Sequence, residues 1–172
     1  MNSRVSVETD MELINLFTTG DFYPRLKVGQ TKGEMENILG FELGEPDIET
    51  EDVDYYLLKM ITGVCLVVLF DKEKICFEIR LDLDKNKHID FMIKCNDHIQ
   101  RFDSNISFES LIDIIRQMKI EWEFDKRRSY LQTICISLKN GLKVYYAFGE
   151  RSADDYGFFS VKRVLEGHFL ND

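Results

Sequence analysis

Two stretches of this chain follow one plan. Thr31-Lys-Gly-Glu34 opens a helical pattern, and 32 residues on, Gly63-Val-Cys-Leu-Val-Val-Leu-Phe70 opens a strand. Ser107-Phe-Glu-Ser110 opens a second helical pattern, and 34 residues on, Gly141-Leu-Lys-Val-Tyr-Tyr-Ala-Phe148 is the matching strand. In each strand a glycine begins the run and a phenylalanine closes it seven residues later. This recurrence predicts an α+β fold of two consecutive units, each a short helix packed on an antiparallel β-meander. Residues 1–100 then hold an N-terminal helix and the first unit, and residues 101–172 the second. One continuous domain is the alternative at 172 residues, a length that buries a core without disulfides or metal.

Local signals support the plan. Thr31 and Glu34 are spaced as a capping box, with Met35, Ile38 and Leu39 as the apolar face and Gly40 as the stop. Residues 8–17 carry a looser helical stripe ended by Gly20. Phe108, Leu111, Ile112, Ile115 and Met118 form the clearest helical stripe, with Ser107 as its cap and Ile106 and Leu111 as a hydrophobic staple. Strands are predicted over 53–60, 64–70, 75–83, 89–95, 130–138, 142–148 and 156–164, with a further strand beginning over 120–124 and Asn140-Gly141 as a two-residue hairpin turn. The 75–83 run predicts Ile75, Phe77, Ile79, Leu81 and Leu83 inward and Glu78, Arg80 and Asp82 outward.

Charge is unevenly placed. The net −9 comes from residues 1–100, with 20 acids and 11 bases, because residues 101–172 carry 11 of each. A pI near 4.9 disfavours nucleic acid and anionic membranes as partners and favours a basic protein. Residues 41–54 hold seven acids and no base: Glu42, Glu45, Asp47, Glu49, Glu51, Asp52 and Asp54. Within this loop Asp47, Glu49, Glu51, Asp52 and Asp54 are the candidate partner-binding acids, the alternative being plain solubility. Tyr145 and Phe159 join them. Each alternates with an aromatic neighbour, so one of each pair faces away from the helix layer.

Reactive chemistry is weakly represented. Asp82, Asp84, Asn86 and Asp90 fall at positions of a calcium loop, but Lys87 replaces its turn glycine and Ile93 its bidentate acid, so a charged turn is expected. His88, Cys95 and His98 fall short of a four-ligand zinc site. Glu150, Asp154 and Asp155 need a pocket to act as acid and base. Lys126-Arg127-Arg128 beside Trp122 and Phe124 reads as a turn rather than a nucleic-acid patch. No catalytic residue, metal or cofactor is therefore expected. Cys65, Cys76, Cys95 and Cys135 lie in apolar runs, as reduced thiols of a cytoplasmic protein do. The first ten residues lack the apolar centre of a signal peptide.

The pattern Leu26-Lys-Val-Gly29-Gln-Thr31-Lys-Gly-Glu34, then Leu39-Gly40 and Gly44-Glu-Pro46, resembles the start of small helix-plus-sheet repeats. Such repeats occur in the beta-lactamase inhibitor protein, in BamE-type assembly lipoproteins and in bacterial toxin-immunity-like proteins. The detailed match covers about residues 22–83, with Phe41-Glu-Leu43 inserted between the two glycine motifs. The resemblance implies a protein-binding sheet and no catalytic residue. The leading expectation is a bacterial cytoplasmic binding module, an immunity or inhibitor protein that occludes a basic partner surface, monomeric or homodimeric. The alternatives are a small-molecule binder or enzyme with a pocket between the units, and a structural subunit dimerising through a strand edge such as 89–95.

Overall fold

The computed structural model describes residues 6–7, 13–22, 25–60, 65–83, 91–95, 98–149 and 156–168. The described residues hold three helices, α1 (Leu13–Thr19), α2 (Lys32–Leu39) and α3 (Phe108–Gln117). The α2 and α3 helices start where their caps place them, while α1 runs two residues past the predicted stripe of 8–17 to its Gly20 stop, residues 8–12 lying outside the described ones. At α2 the capping box is complete. The Thr31 hydroxyl accepts the Glu34 amide at 3.2 Å, and Glu34 accepts the Thr31 amide at 2.7 Å. Gly40 ends α2 in the left-handed region at φ 77°. At α3 the Ser107 hydroxyl accepts the Ser110 amide at 3.2 Å.

The strands form two meanders. The first is β3 (Asp54–Met60), β4 (Cys65–Phe70) and β5 (Cys76–Asp82). The second is β8 (Trp122–Phe124), β9 (Thr133–Leu138), β10 (Leu142–Ala147) and β11 (Gly157–Val164). They meet edge to edge. β5 pairs antiparallel with β11, setting Leu81 opposite Val161 and Arg80 opposite Lys162. With β1 (Ser6–Val7) parallel to β3 and β2 (Ile48–Glu49) antiparallel to it, the result is one nine-stranded, mostly antiparallel sheet.

The strand predicted over 89–95 is described from Phe91 and does not join this sheet. β6 (Phe91–Cys95) pairs with β7 (His98–Phe102), a strand without a clear period-two signal, as a separate hairpin. The Asn140-Gly141 turn also differs. It spans residues 139–141, with Gly141 at φ 88° and its amide on the Leu138 carbonyl at 2.9 Å. Strand β9 starts three residues later than predicted, because Leu131 sits at φ 49° and turns the chain.

One core spans both meanders. Leu16 and Phe17 of α1, Met35 of α2, and Leu111 and Ile115 of α3 pack on Leu58, Val68, Ile79, Leu81, Val144, Ile136 and Val161. Each buried side chain of this size contributes about 1.5–3 kcal/mol. The helices therefore cover one sheet face.

The alternate side chains of the same strands face the other way, and two bulges modify them. Between β4 and β5 the pairing passes from Leu69–Glu78 to Phe70–Cys76, leaving Phe77 as an extra residue. Between β10 and β11 it passes from Tyr145–Ser160 to Tyr146–Phe158, leaving Phe159 as the extra one. A bulge re-aims a side chain. Phe77 thus packs with Val53, Val67 and Leu69 on the helix-free face, and not inward with Ile79 as strict alternation predicts.

Candidate functional site

The opposite sheet face, on which no helix of the described residues packs, holds a trough of about 860 Å³ that crosses the β5–β11 junction. Its floor begins with charge. Arg80 lies opposite Lys162, and Lys162 opposite Lys143, so three cations stand in one cross-strand row. Like charges directly opposite repel. Carboxylates hold them: Arg80 Nε donates to Asp82 at 2.9 Å, Lys162 lies 3.9 Å from Glu78, and Lys143 donates to Asp125 at 3.3 Å. Lys162 also sits 4.9 Å from the centre of the Tyr145 ring, within cation–π range.

Two segments wall the trough. After β8, the turn at 126–128 brings Arg127, Arg128 and then Tyr130 to its rim. Asp125 anchors this wall, accepting from Arg128 at 3.4 Å as well as from Lys143. Burial opposes ionisation of Asp125, but the two cations outweigh it and hold its carboxyl below the usual range. On the other side Leu165 bonds the Phe77 carbonyl at 2.8 Å. His168 then stacks on the Phe77 ring at 5.8 Å and reaches Asp71 at 3.1 Å.

The lining sets the electrostatics. Among the described residues, Arg80, Arg127, Arg128 and Lys162 face the trough with one carboxylate, Glu78, which lies 3.4 Å from Arg80 and 3.9 Å from Lys162, in a chain of net −9. Aromatic rings of Tyr55, Phe77, Tyr130, Tyr145 and Phe159 line the trough together with these charges. Such a surface binds anions by charge-assisted hydrogen bonds and apolar groups by stacking. Burial raises the Tyr145 phenol, and with it the Cys135 thiol to about 11, so neither group ionises near neutral pH.

The predicted site residues divide. Tyr145 and Phe159 both face away from the helices and meet in the trough with ring centres 6.2 Å apart. Tyr145 is only 6% exposed, so it forms floor and not an exposed anchor. Glu49, Glu51 and Asp52 are exposed around β2, whose Ile48 pairs with Tyr55 at the end of the trough. Asp47 is exposed too, but one oxygen accepts the Leu57 amide at 2.7 Å.

Asp54 is not a surface acid. It is 0% exposed, hydrogen-bonded by Lys74, and 3.7 Å from Lys72. The lysines come from the β4–β5 turn, so the acidic loop has bases that its own sequence lacks. Lys72 also donates to the Thr50 carbonyl and Lys32 to that of Gly44, each at 2.7 Å.

Arg80, Lys162, Arg127 and Arg128 were not singled out as a site by sequence. Alternation already puts Arg80 outward, and the basic run flags Arg127 and Arg128. What joins them is a pairing between strands some eighty residues apart. Asp84, Asn86, His88, Asp90, Glu150, Asp154 and Asp155 lie outside the described residues, as does the Cys95 side chain. Among the described residues no three His, Cys, Asp or Glu side chains group as metal ligands, and no helix is long and apolar enough to cross a membrane. Compared with protein families, curated proteins and solved structures, the chain matches none.

Proposed function

We propose that the protein is a binding module of the immunity or inhibitor kind, which acts by docking a partner protein across the helix-free sheet face. One observation carries this reading: helices cover one face of the sheet, while the other holds a broad trough built from both meanders. The two meanders are the paired units of a helix-plus-sheet duplication in this reading, with their last strands joined at β5 and β11. The exposed acids Glu49, Glu51 and Asp52 at one end meet basic groups of the partner and speed its approach.

Capture from the native host tests the docking face. Wild type, an acid-loop variant (Glu49→Lys, Glu51→Lys, Asp52→Lys) and a trough variant (Arg80→Glu, Lys162→Glu) are compared as bait. A partner retained by wild type, bound more slowly and with less salt dependence by the acid-loop variant, and lost by the trough variant, fits the reading. Retention by both variants alike removes this face from the mechanism.

The volume of the trough favours a second reading, a small-molecule binder, since ligand pockets span roughly 300–1,000 Å³. Native mass spectrometry of protein from its host decides: a stoichiometric adduct lost in the trough variant selects the small molecule.

A further inference from the structure

We infer that the occupant of the trough is an acidic segment of a partner protein, with carboxylates interspersed among apolar side chains. The inference rests on the docking reading above and names the chemistry of what docks. Arg80 and Lys162 keep 29% and 25% of their side-chain surface exposed while standing side by side. Arg127 is exposed on the facing wall with no carboxylate partner among the described residues. With the row and the facing wall taken together, Arg80, Lys162, Lys143, Arg127 and Arg128 share three carboxylates among the described residues, Asp82, Glu78 and Asp125, so an incoming carboxylate gains charge-assisted bonds from more than one donor. Phe77, Phe159, Tyr130 and Val164 line the same trough and give apolar side chains of the same segment a surface.

Charge complementarity favours a peptide over nucleic acid. Glu78 lies in the floor and the exposed acids around β2 adjoin the Tyr55 end. A polyphosphate carries a charge at every unit and meets these acids wherever it lies, whereas spaced side-chain carboxylates fall on Arg127 and the exposed parts of Arg80 and Lys162 and leave Glu78 in its pairs with Arg80 at 3.4 Å and Lys162 at 3.9 Å. The net −9 of the chain repels a long polyanion further. A partner with an acidic segment on a basic surface satisfies the trough and the acidic rim together.

The probe is a capped peptide alternating glutamate with phenylalanine, titrated into ¹⁵N-labelled protein. Its lysine–phenylalanine counterpart and oligothymidylate serve as controls. The expected result is amide shifts in β5, β11, Tyr145 and residues 126–130 with the glutamate peptide. They weaken with salt and fall at least about tenfold in affinity in the Arg80→Glu, Lys162→Glu variant. Arg80→Gln, which removes one cation without adding an acid, gives a smaller loss and guards against a folding defect in the double variant. Absence of those shifts overturns the inference, as do equal shifts with the lysine peptide. Tighter binding of oligothymidylate at the same amides also overturns it and assigns the trough to nucleic acid. If host capture still depends on Arg80 and Lys162 while the peptide moves nothing, the docking reading stands and the acidic-segment inference falls. If the peptide binds as expected but capture ignores these residues, the reverse holds.

Discussion

The Asn140 side-chain amide donates to the main-chain carbonyl of Phe17 at 2.8 Å, across 123 residues of chain. A helix end leaves its last carbonyls without partners, and here the β9–β10 turn supplies one for α1. Arg163 adds a second link from β11, donating to the Gly20 carbonyl at 2.7 Å and to Asp21 at 3.1 Å. The short α1 is thus held to the far meander at its C-terminal end, with Phe17 buried against Phe102 and Phe158 at ring distances of 6.0 and 6.2 Å. Asn140 also accepts the Leu142 amide at 3.2 Å, so one side chain shapes the turn and caps the helix.

Asn140→Asp separates the two roles. The acceptor for Leu142 stays, while the donor to Phe17 becomes an oxygen facing an oxygen. We expect a loss of about 1–3 kcal/mol in urea unfolding, with faster hydrogen exchange confined first to α1. Exchange in α1 equal to wild type means that the cap does not hold the helix.

Asp54 sets a pH dependence. The Lys74 hydrogen bond is the main reason its carboxyl is held below the usual range; burial opposes this, and the charges of Lys74 and Lys72 add to it. The folded pKa lies below the unfolded value of about 3.9, so the stabilisation is complete above that pH and is lost as pH falls through the folded pKa. Asp54→Asn should lower stability at pH 7 by about 1–3 kcal/mol, and the gap to wild type should shrink below pH ~3.9. Urea midpoints at neutral and acid pH check this; a gap independent of pH excludes the ion pair as its source.

The legible parts of the fold were those fixed by a few neighbouring residues. Thr31 with Glu34, Ser107, Gly20 and Gly40 each mark a helix end through one local backbone demand, and each stands where sequence places it. Alternation correctly turns Arg80 outward and Leu81 inward. It fails at Phe77, because a bulge adds one residue and period two assumes none. It also says nothing of which strand lies beside β5. The charged row of Arg80, Lys162 and Lys143 exists only through pairing with β11, and the partners of Asp54 come from the β4–β5 turn, some twenty residues further along the chain. Both are tertiary facts, and the candidate site is made of them.

Thiol reactivity should follow burial. Burial holds Cys135 at about 11 and raises Cys76 as well, whereas Cys65 is half-buried. At pH 8 Cys135 is therefore held as the unreactive thiol. Native protein treated with iodoacetamide and mapped by mass spectrometry should carry label on Cys65 well before Cys76 or Cys135, with urea removing the difference. Early labelling of Cys135 means that the floor beneath Tyr145 opens to solvent.

Leu131 joins strain to exposure. It holds φ 49° without being glycine, and its side chain is fully exposed beside Tyr130 at the trough rim. Left-handed backbone costs a branched residue about 1–2 kcal/mol, and an exposed leucine recovers nothing from packing within the chain. An apolar tip kept under those conditions fits a contact made with a docked partner. Leu131→Asn relieves the strain, since asparagine tolerates this region, and should raise stability by about 0.5–1 kcal/mol while weakening partner capture severalfold. Thermal unfolding gives the first quantity and bound fraction in the capture experiment the second. A more stable variant that captures as well as wild type would remove Leu131 from the docking surface and leave its backbone conformation a consequence of the turn alone.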